Sequence, residues 1–159
     1  MAHNFEELDT VKLFNIHDQL KSDTTTIEFC QRYSLLKQTP YCQMHGTQYI
    51  LHKYKNTYNW TCNRKGHLRR PHISIREGSI FHGFHLSIDT IIRFLYCWSY
   101  ELFNHSDFLR ELDLSDKTVV NWKNFLRDIC AQHFLQNPPI IGGLGHIVEI
   151  DESLNSQKI

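Results

Sequence analysis

Two short pairs of cysteine and histidine have the spacing of metal-binding turns. Two residues separate Cys42 from His45, and four residues separate Cys62 from His67. Thiolate sulfur and imidazole nitrogen are ligands of tetrahedral zinc, and two such pairs on tight turns complete its coordination. The spacing therefore predicts a structural zinc site, which stabilises the fold and leaves no open position for catalysis.

The remaining histidines and cysteines leave alternatives open. Because the second pair is looser than the common two-residue spacing, His72 or His52 can replace His67 as the fourth ligand. A chain with eleven histidines also places some of them near cysteines by chance. The first thirty residues carry acids and no uninterrupted apolar run, so we expect a reducing compartment and metal ligation instead of disulfides. Three cysteines fall within helical patterns and are interpreted as small buried apolar groups: Cys30, Cys97 and Cys130.

Charge is distributed unevenly along the chain. No acidic residue lies between Glu28 and Glu77, whereas nine of the 17 lysines and arginines do, so the net charge of zero combines about +9 in this span with about −9 elsewhere. Such asymmetry predicts a polyanionic partner, most commonly nucleic acid. No apolar run approaches the roughly 20 residues of a membrane span, so no membrane partner is expected. The bases of the span interpreted as DNA-binding are Arg64, Lys65, Arg69, Arg70 and Arg76.

The residues between the two ligand pairs favour β-strands. Positions 46–61 include several aromatic and apolar strand-forming residues, and Asn56 offers a turn between two strands. Pro40 before the first pair and Gly66 before His67 are typical of the tight turns that carry zinc ligands. We therefore predict a small zinc ribbon over residues 39–80.

Helical patterns occupy both sides of this ribbon. Residues 1–38 favour two helices, at 4–20 and 25–36, and from Leu86 apolar residues recur at three- and four-residue steps, which predicts a helical region over 81–137. Ser106 and Ser115 are candidate N-caps of its later helices. Residues 108–122 are similar to a helix-turn-helix, although an ordinary helical hairpin with a solvated polar face fits equally well. The polar face carries types that contact bases and phosphates: Lys117, Thr118, Asn121, Lys123, Asn124 and Arg127.

The order of the motifs resembles the front half of Merlin-type DNA transposases, eukaryotic relatives of a bacterial insertion-sequence superfamily. The resemblance covers roughly residues 25 to 153. After the ribbon it comprises Ser74-Ile-Arg-Glu-Gly-Ser-Ile-Phe, Leu95-Tyr-Cys-Trp, Ser115-Asp-Lys-Thr-Val-Val-Asn-Trp and Gly145-His-Ile-Val-Glu-Ile-Asp-Glu-Ser. It implies an α+β fold: N-terminal helices, a small β zinc ribbon, a helix-turn-helix-like bundle, and the first strand of an incomplete RNase H-like domain at 144–159.

The resemblance also implies chemistry. Asp151 stands where the family has the first aspartate of a DDE triad, which holds two magnesium ions for cutting and joining DNA. The family's ribbon usually carries four cysteines, so His45 and His67 replace two of them, as zinc chemistry allows. The sequence after Ser153 departs from the family, and the second aspartate and the glutamate are missing, so magnesium is expected only with a full catalytic domain.

The leading hypothesis is a transposase-derived DNA-binding protein, truncated before its triad is complete and inactive as an enzyme in this form. Its partner would be DNA, in particular transposon ends, and its location the nucleus. One alternative is the N-terminal fragment of an active DDE transposase. A second alternative is a zinc-stabilised protein interaction module, and association into a homo-oligomer is compatible with each.

Overall fold

Five helices and three strands make up the part of the chain that the structure describes, residues 11–54, 57–140 and 142 of a computed structural model. The α+β class is confirmed. The helices are α1 (Leu13–Gln19), α2 (Asp23–Arg32), α3 (Ile88–Ser99), α4 (His105–Glu111) and α5 (Asp116–Gln136). The strands are β1 (Ile50–Tyr54), β2 (Thr57–Thr61) and β3 (His72–Ser74).

Short polar side chains determine where three of the helices begin. The hydroxyl of Ser22 accepts a hydrogen bond from the backbone N–H of Thr25 at the start of α2, and Ser115 caps α5, as the sequence predicts. The expected cap at Ser106 is wrong, because Asn104 accepts the backbone N–H of Asp107 and begins α4 two residues earlier. An asparagine amide oxygen satisfies a free helical N–H as well as a serine hydroxyl does.

The strands form one antiparallel sheet in the order β1-β2-β3. Leu51 of β1 lies opposite Trp60 of β2, which in turn lies opposite Ile73 of β3. Because β2 is the central strand, the Trp60 side chain is covered and belongs to the core. Two strands between the ligand pairs are confirmed, while the turn expected at Asn56 lies outside the described residues.

Aromatic side chains pack between α3, α4 and the segment that joins them. Helices α1, α2 and α3 contact one another, and the ring of Phe94 on α3 lies 4.3 Å, between centroids, from that of Phe108 on α4. Both rings are fully buried. The sequence predicted one helix whose apolar stripe continues to Phe103. The helix α3 ends earlier, at Ser99, and Glu101 adopts a positive φ of 53°. Phe103 still packs against Phe108, edge to face at 5.5 Å.

The chain divides into two compact units between Asp113 and Leu114. The first unit contains α1 to α4 and the sheet, and the second contains α5. On α5 the side chains of Val119, Trp122 and Leu126 are buried at helical spacing. None of the helices described has the length and apolar character that crossing a membrane would require.

Candidate metal centre

A tight turn presents the first ligand pair. The backbone N–H of Cys42 donates to the carbonyl of Thr47 at 2.8 Å, and the N–H of Gly46 donates to the carbonyl of Cys42 at 2.8 Å. Gly46 has a φ of +62°, which L-residues rarely adopt, so glycine allows the chain to reverse immediately after His45. The turn therefore points Cys42 and His45 toward the same point.

The sheet presents the second ligand pair. Cys62 follows the last residue of β2 directly, so its position is fixed by the central strand. Gly66 has a φ of +106°, outside the range that side chains tolerate, and it turns the chain so that His67 faces back toward Cys62. Lys65 and Gly66 form a turn immediately before His67, so the second pair is also carried by a turn, here after a central strand.

The structure brings the four predicted ligands together. One ligand atom from each of Cys42, His45, Cys62 and His67 can be chosen so that all lie within 4.8 Å of one another. The Sγ of Cys42 is 3.6 Å from Nδ1 of His45 and 3.5 Å from Nε2 of His67. The Sγ of Cys62 is 3.7 Å from the same His45 nitrogen.

These separations match the edges of a zinc tetrahedron. Zn–S bonds near 2.3 Å and Zn–N bonds near 2.0–2.1 Å place sulfur and nitrogen ligands about 3.6 Å apart when the angle between them is tetrahedral. The three measured S···N distances lie between 3.5 and 3.7 Å. The imidazole rings of His45 and His67 meet at 79°, so they do not stack across the position of the ion. The donor set and its dimensions therefore fit zinc.

Burial of the thiols favours metal binding. Cys42 and Cys62 are each 1% exposed, whereas the two histidines are only partly covered. Burial by itself raises the pKa of Cys42, but hydrogen bonds involving His45, Cys62 and the local backbone outweigh it and hold the pKa at about 7. Near neutral pH a large share of this thiol is already the thiolate that zinc binds.

Tyr49 is a neighbour of the site that its sequence position did not reveal. Its side chain is interpreted from the sequence only as a strand former. Burial, followed by the adjacent Cys42 and Cys62 thiols, raises the pKa of its hydroxyl. The hydroxyl therefore stays protonated beside the two predicted sulfur ligands.

The two alternative fourth ligands lie elsewhere. His52 on β1 and His72 on β3 are exposed and do not belong to the cluster. Two of the remaining cysteines, Cys30 and Cys97, are buried within helices as expected. Cys130 corrects the expectation, because it lies on an exposed face of α5. All of these thiols are free.

The bases interpreted as DNA-binding are mostly on the surface. In the ribbon region Arg64, Lys65, Arg69 and Arg70 are exposed, whereas Arg76 is half-buried. On α5 the exposed members are Lys117, Asn121, Asn124 and Arg127, and the half-buried ones are Thr118 and Lys123. Among the described bases between positions 29 and 76, only Lys53 forms an ion pair with a carboxylate. The surface beside the candidate metal centre therefore carries positive charge that the described carboxylates do not neutralise.

Asp151 and the segment 144–159 lie outside the described residues. Comparisons of the chain with protein-family models, with curated proteins and with solved structures found no match. The case for a function therefore rests on the residues of this chain: four candidate metal ligands placed together within a basic, acid-free span.

Proposed function

We propose that the chain is a transposase-derived DNA-binding protein in which zinc stabilises a basic ribbon. The observation that carries the proposal is the convergence of Cys42, His45, Cys62 and His67 inside a span with nine bases and no acid. Folding of the ribbon around zinc fixes the loop 63–71, which carries four of those bases. The resemblance of the motif order to that of Merlin-type transposases supports DNA as the polyanion.

The exposed arginines of the loop suit phosphate contacts. Arg64, Arg69 and Arg70 are exposed and have no carboxylate partner among the described residues. Arg64 lies between the predicted ligands Cys62 and His67, and Arg69 and Arg70 lie just after His67. Guanidinium groups bind phosphate oxygens in pairs and release condensed counterions from DNA. Affinity should therefore fall steeply with salt and depend little on sequence.

Sequence preference is proposed to come from α5, as the second helix of a helix-turn-helix. Ser115 caps it, and Asn121 and Lys117 lie exposed near its N-terminal end, the part of a recognition helix that meets base edges. Asparagine can pair with the edge of adenine through two hydrogen bonds. In this proposal the ribbon provides most of the affinity for DNA, and α5 provides the preference for a DNA sequence.

Two sets of variants test the proposal by fluorescence anisotropy with labelled duplexes over a range of salt. Charge reversal of Arg69 and Arg70 should weaken binding to all sequences and reduce the slope of log K against log salt by about 1.8, the loss of two phosphate contacts. Asn121→Ala should instead reduce discrimination between a selected and a random duplex. If neither change alters binding, the proposal is wrong.

A second candidate, a zinc-stabilised interaction module, is favoured by the apolar residues exposed on α5. Phe125, Ile129, Phe134 and Leu135 are each more than a third exposed. Such side chains commonly mark contacts with another protein. Sedimentation separates the candidates: a module of this kind associates without DNA, and its association is insensitive to salt.

A further inference from the structure

A cavity of about 320 Å³ lies inside the first unit, beside the basic ribbon. Residues of β1 and β2, of α2, of the segment after β3 and of the start of α3 line it. The side chains of Asp23 and Lys53 at its border are more than half exposed, so the cavity opens to solvent. Its volume is ample for a phosphate group.

Arg76 brings a half-buried positive charge to this cavity. Its Nη1 donates to the backbone carbonyl of Phe84 at 2.9 Å, and no carboxylate pairs with it among the residues described. Burial lowers the pKa of Arg76, although the group stays charged at any physiological pH. A guanidinium has five N–H donors, so most of its capacity is available to an anion.

The start of α3 also lines the cavity. The Ser87 hydroxyl makes no capping bond and instead lies 2.6 Å from the hydroxyl of Thr90. Within the described part of the chain, the first-turn N–H groups of Ile88, Asp89 and Thr90 have no acceptor. Free N–H groups and the dipole of a 12-residue helix make this terminus favourable for an anion.

Thr26 supplies an independent observation. The residue lines the cavity and is only 3% exposed, and its buried hydroxyl has no hydrogen-bond partner among the described residues. Buried hydroxyl groups almost always have a partner, because leaving one unpaired costs about 1–3 kcal/mol. A ligand with acceptor oxygens would satisfy it.

Two carboxylates border the cavity, and each has a cationic neighbour. Asp23 accepts from Lys53 and from the Tyr58 hydroxyl, both at 2.7 Å. Asp89 lies 3.9 Å from Arg93. With Lys53 assigned to Asp23, and Arg93 from outside the lining assigned to Asp89, Arg76 is left without a carboxylate partner among the described residues.

We propose that this cavity binds a phosphate group through Arg76, the first-turn N–H groups of α3 and the hydroxyl of Thr26. The source of the phosphate is the backbone of bound DNA, an assignment that rests on the proposed function. Arg76 then acts as an anchor deeper than the exposed arginines of the 63–71 loop, and it fixes one phosphate relative to the sheet.

The first test uses inorganic phosphate and the zinc-loaded full chain at constant ionic strength. Two-dimensional ¹H–¹⁵N NMR should show saturable shifts of the Ile88, Asp89 and Thr90 amides. Arg76→Gln should weaken this binding at least tenfold, whereas Arg110→Gln, which removes an exposed arginine elsewhere in the unit, should not change it. Absence of saturable shifts at these amides would overturn the proposal.

Thr26→Val keeps the test valid if Arg76→Gln fails to fold. The substitution preserves shape and removes a hydroxyl that has no partner within residues 11–54, 57–140 and 142, so thermal stability should be equal or higher. Phosphate affinity should nevertheless fall several-fold. An unchanged affinity for phosphate in a folded Thr26→Val protein would contradict the proposed ligand set.

DNA titrations separate the source of the phosphate. Arg76→Gln should reduce the salt slope for duplex binding by about 0.9, the value for one contact. If inorganic phosphate binds but this slope is unchanged, the DNA assignment is overturned and the cavity takes a free phosphate. If phosphate binds while DNA does not bind at all, the proposed function fails and the cavity site stands. If DNA binds but the Ile88, Asp89 and Thr90 amides show no saturable shifts with phosphate, only the cavity proposal fails.

Discussion

Cys30 and Cys42 are both almost fully buried, yet the pKa values of their thiols are shifted in opposite directions. At Cys30, burial among apolar groups raises the pKa to about 12, so this thiol stays protonated. At Cys42 the neighbouring His45 and backbone donors outweigh burial and hold the pKa at about 7. Only the second environment supplies a thiolate near neutral pH, which is why burial alone does not identify a metal ligand.

Cys42→Ser is expected to abolish zinc binding and unfold the ribbon. Binding of structural zinc contributes roughly 10–16 kcal/mol in small zinc peptides, which is comparable to the whole stability of a domain, about 5–15 kcal/mol. Metal content per chain and circular dichroism before and after chelation measure both effects. Cys130→Ser is the matched control, because Cys130 is exposed and lies on α5. Full zinc content in Cys42→Ser would contradict the site.

The fourth ligand is decided by a pair of histidine variants. His67→Ala should lose zinc, because Nε2 of His67 lies 3.5 Å from the Cys42 sulfur. His72→Ala should keep zinc, because His72 is exposed on β3 and outside the cluster. His67→Cys should restore zinc binding, since thiolate is an equally good ligand. Zinc loss in His72→Ala alone would reverse the assignment.

Among the helices and strands, the features that depend on neighbouring residues were predicted from the sequence, whereas features that depend on distant residues were not. The strands 50–54 and 57–61, the start of α3 and the Ser115 cap follow from residue types within a few positions. The end of α3 could not be predicted in this way, because the spacing of apolar residues does not indicate the positive φ that Glu101 adopts.

Asp23 makes the clearest contacts that the sequence could not reveal. It begins α2, yet it accepts hydrogen bonds from Lys53 on β1 and Tyr58 on β2, 30 and 35 residues further along the chain. No periodicity relates positions so far apart. The contact joins a helix to the sheet that carries Cys62, so the support of the metal centre extends beyond the ligand loops.

Asp23→Asn is expected to destabilise the protein modestly and in a pH-dependent manner. Hydrogen bonds from Lys53, then from Tyr58, lower the pKa of Asp23, so its stabilising effect is present above the unfolded pKa near 4 and disappears as pH falls through the lower folded pKa. Because the pair is more than half exposed, the loss at neutral pH should be only about 0.5 kcal/mol. Urea unfolding from neutral to acidic pH measures it, with Asp18→Asn as a surface ion-pair control. If the difference in unfolding free energy between the wild type and Asp23→Asn stays the same below the folded pKa of Asp23, this account is contradicted.

The molecule as a whole is electrically neutral, but its parts are not. With a pI of about 7.2, average charge predicts little attraction to DNA near neutral pH and repulsion above it. The span 29–76 carries about +9 charges and no acid. Salt screens charges over about 8–10 Å, so a bound polyanion responds to the nearby span more than to distant acids.

Two double charge reversals separate local from average charge. Arg69→Glu with Arg70→Glu and Lys12→Glu with Lys21→Glu change the net charge equally, and all four side chains are exposed. Measured about one pH unit above the pI, where the chain is net negative, the wild type should still bind duplex DNA. The Lys12 and Lys21 reversal should leave affinity within about twofold, because those residues lie outside the basic span, whereas the Arg69 and Arg70 reversal should lower it by at least tenfold at low salt. Equal losses in the two variants would mean that average charge governs binding, and the ribbon would then have no special role in it.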